Sequence, residues 1–257
     1  MYHFPFQSKY KVMSKSFFSF ILLLLVGNLF AQTADDIINK HFEATGGKDK
    51  WSKVYSLRGS GNYVMGPGML APVTDITVAK PFKGIYGDFT WQGMTGKHAM
   101  RADSGWNYQP FSGKRDADPM SPNEIRSYKL SSDPQGLLFN YKDKGYTVEY
   151  LGTDDMDGSD VYKLRLTTQQ GDMVYYYIDM ETSYILKEVT RIKLKDKEEK
   201  NSVIYSDFRK TDYGVTVPFS FQSVDDDGNT QGGPVNFNKV EVNTNVDASL
   251  FDKPKSK

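Results

Sequence analysis

Apolar side chains recur every three to four residues between Ala34 and Thr45, which predicts an amphipathic helix. Thr33 is the expected N-cap, and acidic residues fill the first turn. Gly46-Gly47 is expected to end this helix, because glycine adopts the left-handed cap conformation at little cost. A second short helix is predicted over residues 48–54. The chain therefore begins with a small helical unit.

From Tyr55 onward, apolar and polar residues alternate in short segments that are separated mostly by glycine or proline, a pattern typical of β-strands. The predicted strands are Leu57–Met65, Val73–Lys80, Gly84–Trp91, Lys97–Arg101, Gly105–Gln109, Thr147–Tyr150, Val161–Thr167, Met173–Ile178, Tyr184–Lys193, Asn201–Arg209, Val215–Ser223 and Phe237–Thr244. Turns at Asp157-Gly158, Gln170-Gly171 and Asp227-Gly228 favour hairpins between neighbouring strands.

One further helix is predicted between the two runs of strands. Ser121 is its N-cap, Pro122 its first residue and Glu124 the third, and it extends to about Leu130. Residues 133–140 are helical or irregular. With about twelve strands, two or three helices and no βαβ alternation, we expect one mainly β (α+β) domain. Its antiparallel sheet is large enough to curl, with the helices on one face.

The alternation also indicates which side chains share a face. Apolar sets such as Tyr162, Leu164 and Leu166 alternate with charged residues, so one face meets an apolar interior. Residues 173–178 are apolar on both faces, which predicts a central or covered strand. Two interpretations remain open: these side chains fill an ordinary core, or some of them line a cavity for an apolar ligand.

Residues 1–31 have the pattern of a secretory signal peptide, with lysines, a ten-residue apolar run from Phe17 to Val26, and Ala31 before Gln32. A membrane span needs about 20 apolar residues, so an uncleaved anchor is the weaker alternative. The true start is Met1 or Met13. The chain has no cysteine for a lipid anchor, so we predict a periplasmic protein whose single domain is residues 32–257.

The composition excludes several classes of function. The 32 basic residues balance 32 acidic ones, which argues against a nucleic-acid-binding protein. The absence of cysteine excludes disulfides, thiol nucleophiles and zinc–thiolate sites.

The sequence contains no motif that requires catalysis. His41 and His98 lack the spacing of metal ligands, and Ser104, His98 and Asp103 are a chance combination without a nucleophile-elbow motif. The acidic stretches 154–160 and 225–229 resemble solvated turns more than calcium loops. The mixed charges of residues 193–200 indicate a solvated hairpin end. We therefore predict no enzyme activity, no metal and no cofactor.

Several segments, in this order, resemble one known superfamily. They are Ala34–His41 with Ala44, Gly46, Gly47, Lys48 and Trp51; Leu138–Tyr141 with Gly145, Tyr146 and Tyr162–Leu164; Tyr177–Asp179 with Thr182, Ile185 and Leu186; and Tyr213–Val215, Val217, Pro218, Val240, Val242, Asn243, Asn245, Leu250, Phe251 and Pro254. Together they are similar to the LolA/LolB/LppX lipoprotein-carrier superfamily, in the form common among exported Bacteroidetes proteins.

This resemblance implies a strongly curved, incompletely closed antiparallel sheet (a half-barrel) with helices over a hydrophobic cavity. It implies a non-enzymatic carrier that binds acyl chains of lipoproteins or other lipids and moves them toward the outer membrane. An inner-membrane exporter and an outer-membrane acceptor are the implied partners. The lid-holding arginine of better-known carriers has no counterpart that we can align, and Arg58 is the only basic residue near that stretch. The alternative is a cell-envelope interaction module of the same fold without a transported ligand.

Combining the alternation with this resemblance gives a list of residues expected to line the cavity. The sheet is expected to contribute Phe89, Trp91, Trp106, Tyr108, Tyr175, Phe219 and Phe221. The helices and the segment after them are expected to contribute Ile38, Phe42, Ile125, Tyr128 and Leu137.

Overall fold

The structure, a computed structural model, describes residues 1, 32–194, 198–225, 229–230 and 232–254. Apart from its first residue, the predicted signal peptide lies outside the described residues, as do Asp227 and Gly228 of one predicted turn. From Ala34 onward the chain forms one compact unit. Within the described ranges, no helix has the length and apolarity to cross a membrane.

Three α-helices, three short 3₁₀ helices and thirteen strands make up the regular structure of the described residues. The helices are α1 (Ala34–Ala44), α2 (Lys48–Trp51) and α3 (Pro122–Leu130). The strands are β1 (Ser56–Gly66), β2 (Met69–Ala79), β3 (Gly84–Trp91), β4 (Met94–Arg101), β5 (Ser104–Tyr108), β6 (Asp118–Pro119), β7 (Thr147–Met156), β8 (Ser159–Thr167), β9 (Met173–Asp179), β10 (Ile185–Lys193), β11 (Glu198–Lys210), β12 (Thr216–Val224) and β13 (Val235–Val242).

All thirteen of these strands belong to one antiparallel sheet, in the order β6-β5-β4-β3-β2-β1-β13-β12-β11-β10-β9-β8-β7. Two meanders, β1–β6 and β7–β13, are thus joined where the first strand pairs with the last. The sheet stays open between β6 and β7, so the predicted half-barrel is confirmed. The turns at Asp157-Gly158 and Gln170-Gly171 lie between paired strands as predicted.

The main hydrophobic core lies between α1 and the second meander. Ile37, Ile38 and Phe42 of α1 pack, together with residues 137–141, on a set of buried strand residues. That set is Leu164, Leu166, Val174, Tyr176, Ile178, Val217 and Phe219. Directly opposed residues of antiparallel strands point to the same side of a sheet. The pairings of β8 with β9 therefore place these residues on one covered, concave face. Strand β9 is covered, one of the two predicted alternatives, and it lies third from the β7 edge of the sheet.

Strands β12 and β13 pair over a short stretch only, and the start of β12 is bonded instead to the residue that follows α1. Their pairing includes only Ser220 with Asn236 and Phe221 with Val235. Further along β12, the Thr216 amide donates instead to the Thr45 carbonyl, at 2.9 Å. A Cβ on Gly46 would lie 2.7 Å from the Gly214 carbonyl oxygen, so only glycine permits this close approach.

The convex face carries a second hydrophobic cluster that we did not predict. Tyr86, Ala99 and Trp106 of the first meander pack against Phe251 in the 3₁₀ turn Ala248–Phe251. The Trp106 indole donates to the Phe251 carbonyl at 2.9 Å. The C-terminal segment thus covers the sheet face opposite to α1.

Helix α3 connects the two meanders across the concave side. Ser121 and Glu124 form the predicted capping box, which fixes where the helix begins. Glu124 accepts a hydrogen bond from Asn107 on β5, and Tyr128 stacks near His98 on β4 at 5.2 Å between ring centroids. On the other side, Arg126 pairs with Asp172 before β9. The helix therefore bridges the first meander to the second.

Candidate ligand-binding site on the concave face

Outside the main core, aromatic side chains of the concave face remain partly accessible. We call Tyr63, Phe89, Phe221 and Phe237 the concave aromatic surface; all four are half-buried. Phe221 and Phe237 lie 5.7 Å apart between ring centroids, and Tyr63 and Phe89 lie 6.0 Å apart. These contacts cross from β12 through β13 and β1 to β3, so the surface spans the junction of the two meanders.

Glycines on neighbouring strands make room for these rings. A Cβ on Gly59 would lie 2.5 Å from the Phe237 ring, and one on Gly96 would lie 2.7 Å from the ring of Phe111, which stacks on Phe89. Rings that lie flat on glycines present broad apolar area without filling the space in front of them. The face therefore combines a packed end under α1 with an apolar end whose side chains stay accessible.

Polar side chains also lie on this face, among them Glu188 and Tyr205. Glu188 on β10 is directly opposite buried Tyr176 on β9 and Val203 on β11. Burial raises the pKa of Glu188 to about 7, against a smaller lowering by the Tyr205 hydroxyl. Tyr205 on β11 lies beside Phe221 of β12, so the polar pair borders the concave aromatic surface.

Burial also affects His41 and His98, and it keeps both rings neutral at pH 7. Burial lowers the pKa of His98 to about 4, and the ring faces Tyr128 of α3. Burial also lowers the pKa of His41 to about 4, while its Nδ1 lies 2.9 Å from the Ser183 carbonyl oxygen. Neither ring is placed for metal binding, and no metal-ligating cluster exists among the described residues.

A pocket of about 550 Å³ opens next to the packed end, where Leu137 and Tyr146 form part of its wall. Lysines surround it: Lys80, Lys83, Lys129 and Lys144. Lys144 pairs with Asp133 at 2.7 Å, and Lys129 pairs with Asp103. The pocket thus has an apolar wall and a charged rim.

Nine of the twelve predicted lining residues lie on the concave side or belong to the core beneath it. Phe89, Trp91 and Phe221 are partly accessible there, whereas Phe219 is packed into the main core. Ile38, Phe42 and Leu137 are also packed in that core. Ile125 and Tyr128 are half-buried on α3. The role of these nine residues as ligand contacts stays a prediction.

The other three predicted residues are on the wrong face. Trp106 pairs with Ala99, which pairs with Tyr86, so Trp106 and Tyr108 point to the convex side under the C-terminal segment. Tyr175 is opposite Arg165 and is also convex. In β9 both alternating sets are apolar, whereas in β5 the apolar set of Trp106 and Tyr108 packs under the C-terminal segment and not under the helices. Arg191 lies over the Tyr175 ring on the convex side, 5.4 Å from its centroid. The sequence pattern therefore gave no basis for choosing the face.

Sequence reasoning missed Glu188, Tyr205, Tyr63 and Phe237. Glu188 could have been found, because it shares its period-two register with Ile192, which is buried. Phe237 was inside a predicted strand, but its importance depends on the pairing of β13 with β1, which joins residues far apart in sequence.

The rejected catalytic set stays dispersed. Asp103 pairs with Lys129, the Ser104 hydroxyl donates to the Arg101 carbonyl, and His98 is enclosed against α3.

Arg58 points to the convex side, where it lies 2.8 Å from Asp75, so it does not contact the helices. Asp154 pairs with Lys163, and Asp155 accepts from the Gly158 amide, which is the solvated-turn arrangement.

An open curved sheet, a bridging helix and an accessible apolar concave surface define a LolA-like fold. In a comparison with solved structures, the LolA superfamily protein of Nitrosomonas europaea matches with a TM-score of 0.51 and 14% identity, over 87% of this chain and 99% of that one. An outer membrane lipoprotein-sorting protein domain from Vibrio parahaemolyticus gives 0.49 and 14%, over 84% and 95%. A DUF1329 family protein from Desulfovibrio piger gives 0.48 and 12%, over 85% and 96%. No protein-family model and no curated protein matches the sequence.

Proposed function

We propose that this protein is a non-enzymatic carrier that binds acyl chains of lipoproteins or other lipids against its concave face. The observation that carries the proposal is the concave aromatic surface, which stays partly accessible on the side of the sheet that carries the helices. Residues that fill a core are normally excluded from solvent. An apolar face kept open beneath a bridging helix is suited to an apolar ligand.

The energetics of acyl-chain burial fit such a site. Each buried CH₂ contributes about 0.8 kcal/mol, so a chain of roughly 16 carbons leaves water with a gain of about 12 kcal/mol. A carrier must also release its ligand. Since α3 holds the two meanders together through a few side-chain contacts, its movement would expose the site without unfolding the sheet.

The remaining parts of the proposal concern where in the cell the protein acts and which proteins it interacts with. Residues 1–31 direct export to the periplasm, delivery is toward the outer membrane, and an inner-membrane exporter and an outer-membrane acceptor are its partners. We further infer that the chain is of the Bacteroidetes type within the superfamily. N-terminal sequencing of the exported protein tests the cleavage before Gln32 directly.

Mass spectrometry of an organic extract tests the binding function. The protein is purified without detergent, and we expect co-purifying lipids or acylated peptides. Phe221→Asp on the concave face should reduce the bound lipid at least tenfold. The matched control is Tyr175→Asp, which changes a half-buried aromatic residue on the convex face.

Thermal unfolding of both variants checks that they are folded. An extract without lipid from wild-type protein, together with no uptake of added lipid, would contradict the carrier function. That result would leave a cell-envelope interaction module of the same fold.

A further inference from the structure

A carboxyl group lies within the apolar part of the concave face. Glu188 lies in the middle of β10, opposite Tyr176 on one neighbouring strand and Val203 on the other. Tyr176 belongs to the main core and is 2% exposed. Both neighbouring strands thus enclose Glu188 with aromatic and aliphatic side chains.

Glu188 nevertheless keeps part of its surface accessible, as do Val203 and Tyr205 beside it. Its pairing with Tyr176 places the side chain on the concave side of the sheet, so this access comes from that side. It therefore faces the same space as the concave aromatic surface.

The hydrogen-bonding capacity of Glu188 is largely unused. Tyr205 is the one hydrogen-bonding side chain that the described residues bring to it, and the described ion pairs do not include it. A carboxyl has about four lone-pair sites, and a buried polar group without partners costs free energy. The titratable groups that face it, Tyr205 and the adjacent Tyr176, both have pKa values raised well above 10, mainly by burial, so they are neutral.

Resting on the proposed function, we propose that Glu188 determines ligand specificity by hydrogen-bonding a hydroxyl group carried on a bound acyl chain. A plain alkyl chain would exclude water and leave the carboxyl with no hydrogen-bonding partner beyond Tyr205, which is unfavourable. A hydroxyl both donates and accepts, so it pairs with either protonation state. Near neutral pH the carboxyl populates both states, because its pKa is about 7.

Binding of matched fatty acids tests this specificity. Stearate is compared with 3-, 10- and 12-hydroxystearate by calorimetry on lipid-stripped, full-length protein. We expect at least one hydroxy isomer to bind about tenfold more tightly than stearate, the effect of one hydrogen bond. The hydroxyl position of the isomer that binds most tightly shows which carbon of the acyl chain lies next to Glu188.

Two variants at position 188 show whether the preference for a hydroxy acid comes from the hydrogen bond or from the shape of the site. Glu188→Met has a similar volume and removes the polar group, so it should bind stearate at least as well and lose the preference. It should also remain folded, because replacing a buried ionisable group by an apolar one is often neutral or stabilising. Glu188→Gln keeps a donor and an acceptor, so it should retain the preference.

The possible results distinguish the proposed role of Glu188 from the proposed carrier function. If stearate binds but no hydroxy isomer is preferred, or if the preference persists in Glu188→Met, the role of Glu188 is wrong and the carrier function stands. If no acyl chain binds at all, both are overturned.

Discussion

Arg126 of α3 and Asp172, which precedes β9, form a side-on ion pair: Nε lies 3.0 Å from Oδ2, and Nη2 lies 2.6 Å from Oδ1. The Asp172 side chain is 2% exposed. Arg126 also donates to the backbone carbonyls of Gln170 and Lys193. One side chain therefore fixes α3 to the β8–β9 turn and to the end of β10.

Removing Arg126 should destabilise the protein and release α3. In Arg126→Ala, a buried carboxylate loses its partner, so the free energy of unfolding should fall by roughly 3 kcal/mol in urea denaturation. Hydrogen exchange in α3 should rise more than in β8 and β9. The matched control is Lys239→Ala, which removes an exposed pair with Glu241 and should cost less than about 1 kcal/mol. Equal losses in both variants would mean that Arg126 does not anchor the helix.

The ring of Phe237 needs the space over Gly59. In Gly59→Val, the new side chain would meet that ring, since even a Cβ would lie 2.5 Å from it. We expect a loss of about 1–3 kcal/mol, the usual range for overpacking. The same substitution in a Phe237→Ala background should cost clearly less, because the two sites share one space. Additive losses in this double-mutant cycle, measured by urea unfolding, would contradict the packing argument.

His41 should make the protein less stable in mild acid. Its folded-state pKa of about 4 lies below the ordinary 6.5, so the unfolded chain binds a proton first as the pH falls. Stability from the neutral ring is full above pH 6.5 and is lost as the pH falls toward 4. Between pH 7 and pH 5 the loss from this group is about 2 kcal/mol.

His41→Asn tests that contribution, because its amide can also donate to the Ser183 carbonyl. Urea unfolding of the variant should lose about 2 kcal/mol less than wild type between pH 7 and pH 5. Burial also lowers the pKa of His98, so that group too loses stability as the pH falls. Burial raises the pKa of Glu188, so that group gains stability as the pH falls. His98 and Glu188 are present in the wild type and in His41→Asn, so their contributions cancel when the two proteins are compared. A parallel pH dependence for the two proteins would refute the assignment.

The C-terminal segment should contribute to stability through Phe251. Its ring is buried on the convex face, so Phe251→Ala should cost about 3–4 kcal/mol. The neighbouring Leu250 is only partly buried and serves as the control, with a smaller loss in Leu250→Ala. Tryptophan emission of the Phe251 variant should shift to longer wavelength, because the indole of Trp106, one of the three tryptophans, would become solvated. An unchanged spectrum would show that this segment does not cover Trp106.

The sequence by itself determined the local elements and the class of fold. Period-two alternation and turn residues located most strands, and Ser121 with Glu124 fixed the start of α3, because these signals depend on neighbours within a few residues. Hairpin connections also determined that the sheet is antiparallel. The two-residue strand β6 and the longer extent of β7 were missed, since such short or exposed strands carry little alternation.

Only the tertiary structure decided which face each strand presents to the helices. Trp106 and Phe89 both follow an apolar pattern, yet the C-terminal segment buries the first on the convex side and leaves the second on the concave side. The concave site likewise depends on β1 pairing with β13, which brings Tyr63 and Phe237 together from opposite ends of the chain. Pairings between distant segments arise from the packing of the whole sheet, and no local pattern of residues encodes them.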